Sequence, residues 1–163
     1  MKLNVKKVLK EIAIGAVLLY IFSNIISYIR KPTLESKHLP SFEVTLLDGS
    51  KYIPTKGKPL VIHFWATWCP TCKLEADNIE RISKKYEVLT VAVNSGKNEK
   101  LEAYIKEKGL TFRVLNDTEG NLAKQFRVEA FPTTFIYDAK GTLHFTEVGY
   151  TSTAGFLARL GVL

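Results

Sequence analysis

The sequence predicts an α/β fold, a central sheet flanked by helices, joined to an N-terminal transmembrane helix. Three observations carry this expectation. Apolar runs such as PLVIHFW (59–65) and VLTVAV (88–93) are continuous, as suits buried central strands. They alternate with longer stretches of helical spacing, TCKLEADNIERISKKY (71–86) and NEKLEAYIKEKG (98–109). Ahead of both stands an uncharged run from Ile12 to Ile29, too long for a strand. The chain therefore divides into a membrane anchor (1–30), a linker (31–38) and one folded domain (39–163).

The anchor comes first. As a helix its eighteen uncharged residues, IAIGAVLLYIFSNIISYI, span about 27 Å, against a hydrocarbon core of ~30 Å. Lys10 and Arg30 stand at its ends, where long side chains reach the headgroups. Lys2, Lys6, Lys7 and Lys10 precede it; Arg30, Lys31 and Lys37 follow. That bias predicts an amino terminus in the cytoplasm and a body outside. A cleaved signal peptide and a buried core helix are the competing readings. No Ala-x-Ala site follows the run, and its apolar character goes all round, so an uncleaved signal anchor fits better.

The linker KPTLESKH is polar, and Pro32 breaks any helix. SFEVTLLDGSKYI then offers two strand-like runs around Asp48-Gly49, a hairpin signal. After the strand at 59–65, Pro70 opens a helix at its first position, with Leu74, Ile79, Ile82 and Tyr86 close to one face. The strand 88–93 leads to a helix over 98–109, with Leu101 and Ile105 inward and Gly109 as its stop. TFRVLND is a short strand and EGNLAKQFRV a short helix. TTFIYD (133–138) and TLHFTEVG (142–149) pair as an antiparallel hairpin. A last helix, 152–160, is capped by Ser152.

Charge excludes one class of function. The net +7 splits into +5 over residues 1–38 and +2 over 39–163, so the basicity is that of the anchor's flank. Nothing downstream forms the basic surface that a nucleic acid would need.

Both cysteines lie in FWATWCPTC (64–72). Cys69 precedes Pro70 at the start of a helix, where unpaired N–H groups and the helix dipole stabilise a thiolate. Cys72 follows one turn on, more shielded. The pair suits a dithiol couple, with Cys69 the exposed attacking thiol and Cys72 the resolving one. Two alternatives stand beside it. Two thiolates with one distant histidine of His38, His63 and His144 suit copper(I), although zinc needs three or four ligands. A structural disulfide is the third reading, and a bond closing so short a loop removes little chain entropy.

FWATWCPTC after an apolar strand, followed about sixty residues later by AFPTTFIYDAKG, resembles a thioredoxin-fold oxidoreductase over residues 39–160. The resemblance implies a thioredoxin-like fold with a mixed central sheet. It implies a cis Pro132 facing the two cysteines, with Phe131 offering its backbone N–H and C=O to a client chain as an added strand. Trp68 is a further candidate for client binding, though packing and shielding of the disulfide suffices for it and for Trp65. The anchor, SFEVTLLDGSKY and NDTEGNLAKQFRV resemble the membrane-anchored extracytoplasmic branch, the TlpA, ResA and CcmG group. There an acidic residue three positions after the second cysteine moves protons, a place held here by Glu75. The alternative for Glu75 is a solvated charge beside Asp77 and Glu80. LTVAVNSGKNEKLEAYIKEKGLTFRVLNDTEGNLAKQF and VGYTSTAGFLARL resemble the suppressor-for-copper-sensitivity protein D type, whereas CPTC with Glu75 resembles cytochrome-c-maturation thioredoxins. His63 replaces a buried aspartate of thioredoxins proper. It is read either as a neutral core residue or as a base near Cys72.

The expectation is a protein disulfide oxidoreductase, tethered to a bacterial inner membrane through residues 12–29 and facing the periplasm or extracytoplasmic space. It needs no cofactor or metal beyond the Cys69–Cys72 pair. Its partners are client protein disulfides and a membrane thiol–disulfide electron donor. A copper(I) module and a redox-inert envelope scaffold are the rivals from other classes.

Overall fold

The computed structural model describes residues 5–32, 34 and 36–163. Lys2 of the basic flank and Glu35 of the linker lie outside them. The chain forms two compact units, Met1–Lys31 and Pro32–Leu163.

The first unit is one helix, α1 (Val5–Ile29). It starts seven residues before the uncharged run, because Lys6, Lys7 and Lys10 are good helix formers and nothing upstream of Ile12 breaks the pattern. Val8–Ile29 is long and apolar enough to cross a membrane, with a mean hydropathy of 2.1. Leu9, Leu18, Leu19 and Phe22 stand exposed on it.

The second unit is built on a five-stranded sheet in the order β5-β4-β3-β6-β7. The strands are β3 (Leu60–Trp65), β4 (Glu87–Val93), β5 (Arg113–Asp117), β6 (Thr133–Tyr137) and β7 (Leu143–Val148). β3 pairs parallel with β4, and β4 with β5; β6 runs antiparallel to β3, and β7 to β6. The mixed thioredoxin-like sheet is thus present. Between the parallel strands run α2 (Pro70–Ser83) and α3 (Asn98–Glu107). The short α4 (Asn121–Gln125) follows β5, and α5 (Thr153–Leu160) closes the chain. A separate hairpin of β1 (Val44–Thr45) and β2 (Lys51–Tyr52) forms around Asp48-Gly49.

β3 is central and wholly buried, and its side chains alternate between two cores. Val61 and Trp65 face a core with Ile79 and Ile82 of α2, Leu101 of α3 and Phe156 of α5. Ile62 and Phe64 face another with Leu89, Val91, Phe126 and Phe135. His63 lies between Val61 and Trp65 on the same face of the strand, so it points to the α2 side.

Three local expectations are met by particular bonds. Pro70 is the first residue of α2. The Ser152 hydroxyl accepts from Gly155 N–H and caps α5. Gly109 ends α3 in the left-handed region, at φ 62°, where a side chain would be strained. Two are corrected. Leu74 is 73% exposed, because the buried stripe of α2 runs through Cys72, Glu75, Ile79 and Ile82. Tyr86 lies beyond the helix end and is half-buried. The end of the linker is also tied down: Leu39 N–H donates to Gly141 C=O, and Leu143 N–H to Lys37 C=O. These bonds seat it on the β6–β7 turn, at the opposite end of β6 from Pro132.

Candidate active site

The site forms where β3 gives way to α2. Trp65 ends the strand, residues 66–68 turn, and Cys69 is the N-cap of the helix, with φ −83° and ψ 116°. In most helices a Ser, Thr, Asp or Asn oxygen fills that role. Here sulfur does: Cys69 Sγ accepts the Cys72 N–H at 3.2 Å. A helix start that stabilises a neutral acceptor stabilises an anion there more. The two sulfurs are joined as a disulfide, with Cα atoms 5.3 Å apart.

Cys69 is less accessible than its expected attacking role implies. It is 5% exposed and Cys72 2%. Cys69 packs into the core that holds Trp65 and Ile79, and Trp68 and Phe131 stand beside each other at the turn. They meet edge to face with ring centroids 5.7 Å apart, and Trp68 stands 57% exposed as a rim. Trp68 Nε1 donates to Asn94 C=O at 3.2 Å, and Thr67 N–H to Ser95 Oγ at 3.0 Å. Those bonds fix the turn against the end of β4. On the other side the Phe131–Pro132 peptide is cis, and Phe131 O lies 3.7 Å from Cys69 Sγ.

Beneath the disulfide lies a carboxyl group. Glu75 is one turn after Cys72 on the same face of α2 and is 0% exposed, so the solvated-charge reading is overturned. Its Oε1 accepts from Thr151 N–H at 2.6 Å. Its Oε2 has no hydrogen-bond partner among the described residues. Burial pushes the carboxyl up to about 8, helped by the nearby Glu147 and opposed by the Thr151 N–H. His63 faces it, Nε2 to Oε2 at 3.9 Å, and its Nδ1 meets Thr134 Oγ1 at 2.9 Å. Burial drives the imidazole down to about 3. The two groups are therefore both neutral near pH 7, and they are no ion pair. Of the two expectations for His63, this burial favours the neutral core residue over the base. His38 and His144 lie elsewhere, at the β6–β7 turn, where His38 bridges to Thr142 and His144 pairs with Asp138.

The structure thus brings Cys69, Cys72, Glu75, His63, Trp68, Phe131 and Pro132 to one end of the sheet. Sequence reasoning missed Thr134, Thr151 and Asn78. Asn78 Nδ2 donates to Thr151 C=O and Tyr150 Oη, both at 3.1 Å, and its Oδ1 accepts from Thr153 Oγ1 at 2.8 Å. It holds the segment whose Thr151 N–H reaches Glu75. No local pattern marks these residues; Thr134 is found only from the β3–β6 register, in which it is the partner of His63.

A family model described as AhpC/TSA matches residues 36–146, which contain the disulfide, the buried carboxyl and the cis proline. The chain belongs to the AhpC/TSA family. Within it, this member is thioredoxin-like and falls in the thiol–disulfide oxidoreductase branch. It is 36% identical over 104 residues to sporulation thiol-disulfide oxidoreductase A of Bacillus subtilis, covering 60% of this chain and 63% of that protein. It is 36% identical over 123 residues to the thioredoxin-like protein YneN of the same organism, covering 71% of this chain and 72% of YneN. Its fold is similar to the crystal structure of an exposed lipoprotein thioredoxin of Streptococcus pneumoniae. The TM-score there is 0.67 at 29% identity, over 76% of this chain and all of that one. These relatives reach the oxidoreductase branch that the two motifs resemble. They do not reach the copper-sensitivity subtype.

Proposed function

We propose that this AhpC/TSA member is a membrane-tethered thiol–disulfide oxidoreductase that reduces selected client disulfides on the extracytoplasmic side of a bacterial inner membrane. The observation that carries the reading is the Cys69 sulfur as helix N-cap, bonded to Cys72 and backed by the buried Glu75. α1 supports the tether, and the lysines ahead of its uncharged run support an amino terminus in the cytoplasm.

In the reduced enzyme the Cys69 thiolate attacks one client sulfur. The client S–S bond breaks, a Cys69–client mixed disulfide forms, and the departing client thiolate takes a proton from water. With Glu75 ionised, Cys72 then gives its proton to the carboxylate and attacks Cys69 Sγ. That step closes the Cys69–Cys72 disulfide and releases the second client thiolate. A carboxyl near 8 and a thiol whose ordinary value is ~8.5 have matched proton affinity, which suits transfer in either direction. In the disulfide form Glu75 is already neutral and carries the proton that Cys72 needs when a membrane dithiol donor recharges the site. The backbone of Phe131, beside Cys69, offers the client strand its pairing edge.

The test is trapping. Full-length Cys72→Ser in the membrane leaves Cys69 to hold clients as mixed disulfides. Apocytochrome among them assigns cytochrome maturation; copper-stress proteins assign the copper-tolerance role. Recovery of no covalent client, with Cys69 shown to be reduced, overturns the proposal.

A further inference from the structure

We propose that His63 is a positioning residue for the proton transfer, fixed by Thr134 with its Nε2–H facing Oε2 of Glu75, so that it makes the carboxylate attainable inside the core. The inference deepens the reading above and rests on Glu75 being the proton acceptor.

The tautomer follows from hydrogen-bond accounting. Thr134 is buried, and its hydroxyl has one partner among the described residues, His63 Nδ1. A buried hydroxyl must donate, so Nδ1 accepts and the ring proton of the neutral imidazole sits on Nε2. Nε2 is the atom that faces Glu75 Oε2.

The carboxyl is asymmetric. Oε1 is committed to Thr151 N–H, which leaves Oε2 as the atom that gains and loses the proton. Cys72 lies one turn back on the same buried face of α2, His63 of β3 faces the carboxyl, and Glu147 of β7, bonded to Arg159 of α5, acts on it electrostatically. The imidazole Nε2 lies 3.9 Å from Oε2. At 3.9 Å it makes no hydrogen bond, as befits a neutral acid in the disulfide form. Once Oε2 is charged, an N–H donor across that gap is drawn in, toward a charge-assisted bond of about 2.8 Å. Without a donor there, the bare carboxylate oxygen would sit against core side chains, and the proton would stay on Glu75.

The experiment uses the full chain in detergent or nanodiscs and has two parts. The first is a two-bond ¹H–¹⁵N correlation spectrum of the ¹⁵N-histidine-labelled protein. His63 is expected with Nε2 protonated and Nδ1 as acceptor. An Nδ1–H tautomer or an imidazolium near pH 7 overturns the proposal, whatever the role of Glu75. The second is the pH dependence of glutathione release from a preformed Cys69–glutathione mixed disulfide, the step in which Cys72 loses its proton. The rate rises with pH as Glu75 ionises, and Glu75→Gln removes that limb. His63→Phe is expected to move the midpoint upward by about one pH unit or more. Thr134→Val moves it the same way by less, and His63→Gln, which keeps an N–H near the place of Nε2, restores it. Midpoints unchanged in His63→Phe and Thr134→Val overturn the role given to His63. A limb that survives Glu75→Gln overturns the base assigned in the reading above, and with it the inference. Should His63→Phe fail to fold, the Thr134→Val profile and the wild-type tautomer decide.

Discussion

Thr151 N–H donates to Glu75 Oε1 at 2.6 Å, joining the loop after β7 to the first turns of α2 across 76 residues of chain. This bond orients a carboxyl that burial would otherwise leave without any partner. It also couples the stability of the domain to the protonation of one side chain.

Glu75 is held up to about 8 from 4.5, so between those values the folded protein binds a proton that the unfolded chain has lost. Stability from this group is full below about 4.5 and declines as pH rises through 8. Glu75→Gln is expected to be more stable than the parent at pH 9, by on the order of 5 kcal/mol at most, and to lose that advantage at pH 4. Urea denaturation of the disulfide form at several pH values measures it. A pH-independent difference would contradict the burial of an ionisable Glu75.

His63 gives the opposite slope. Its imidazole is pushed down from 6.5 to about 3, so the unfolded chain binds the extra proton first as pH falls. The stability it contributes is complete above 6.5 and lost toward pH 3. His63→Gln is expected to flatten the acid side of the stability curve over that range. Thermal melts of both proteins between pH 3 and 7 show whether the curves converge as expected.

Asn78→Ala removes three hydrogen bonds that secure residues 150–153. The expected cost is about 1–3 kcal/mol, since the Thr151 carbonyl is left unsatisfied near a buried face. With Thr151 less well placed, the Glu75 carboxyl rises further, and resolution of a Cys69 mixed disulfide slows at pH 7. Loss of stability without any slowing would separate Asn78 from the proton path.

The N-cap position of Cys69 sets the order of the two thiols. In single-cysteine proteins the lone thiol of Cys72→Ser is expected to ionise at lower pH than that of Cys69→Ser, because only Cys69 caps the helix, whereas Cys72 shares its buried face with the Glu75 carboxyl. Thiolate absorbance against pH decides it, and the reverse order would remove the basis for Cys69 as nucleophile.

Glu80 is structural. Its carboxylate accepts from Thr111 N–H, Thr111 Oγ1 and Phe112 N–H, bonds that hold it below its ordinary value despite some burial. Glu80→Ala is expected to cost about 1–3 kcal/mol with thiol exchange unchanged. Activity loss at constant folded fraction would give Glu80 a second role.

What the amino-acid sequence determined by itself is local. Pro70 after Cys69 fixes a helix start at the thiol, Ser152 and Gly109 fix helix ends, and the continuous apolar runs fix which strands are central. The uncharged stretch 12–29 fixes a helix of spanning length. Each follows from spacing along one short segment, where backbone geometry leaves few choices. Only the tertiary structure decided which charges are buried. Spacing placed Leu74 on the inner face of α2 and left Glu75 open to a solvated place; the packed domain turns Glu75 in and Leu74 out. Only the β3–β6 register sets Thr134 against His63, 71 residues away, and only the packed core around Cys69 lowers its exposure. A side chain's proton affinity depends on the water and partners around it, and distant segments supply or remove both.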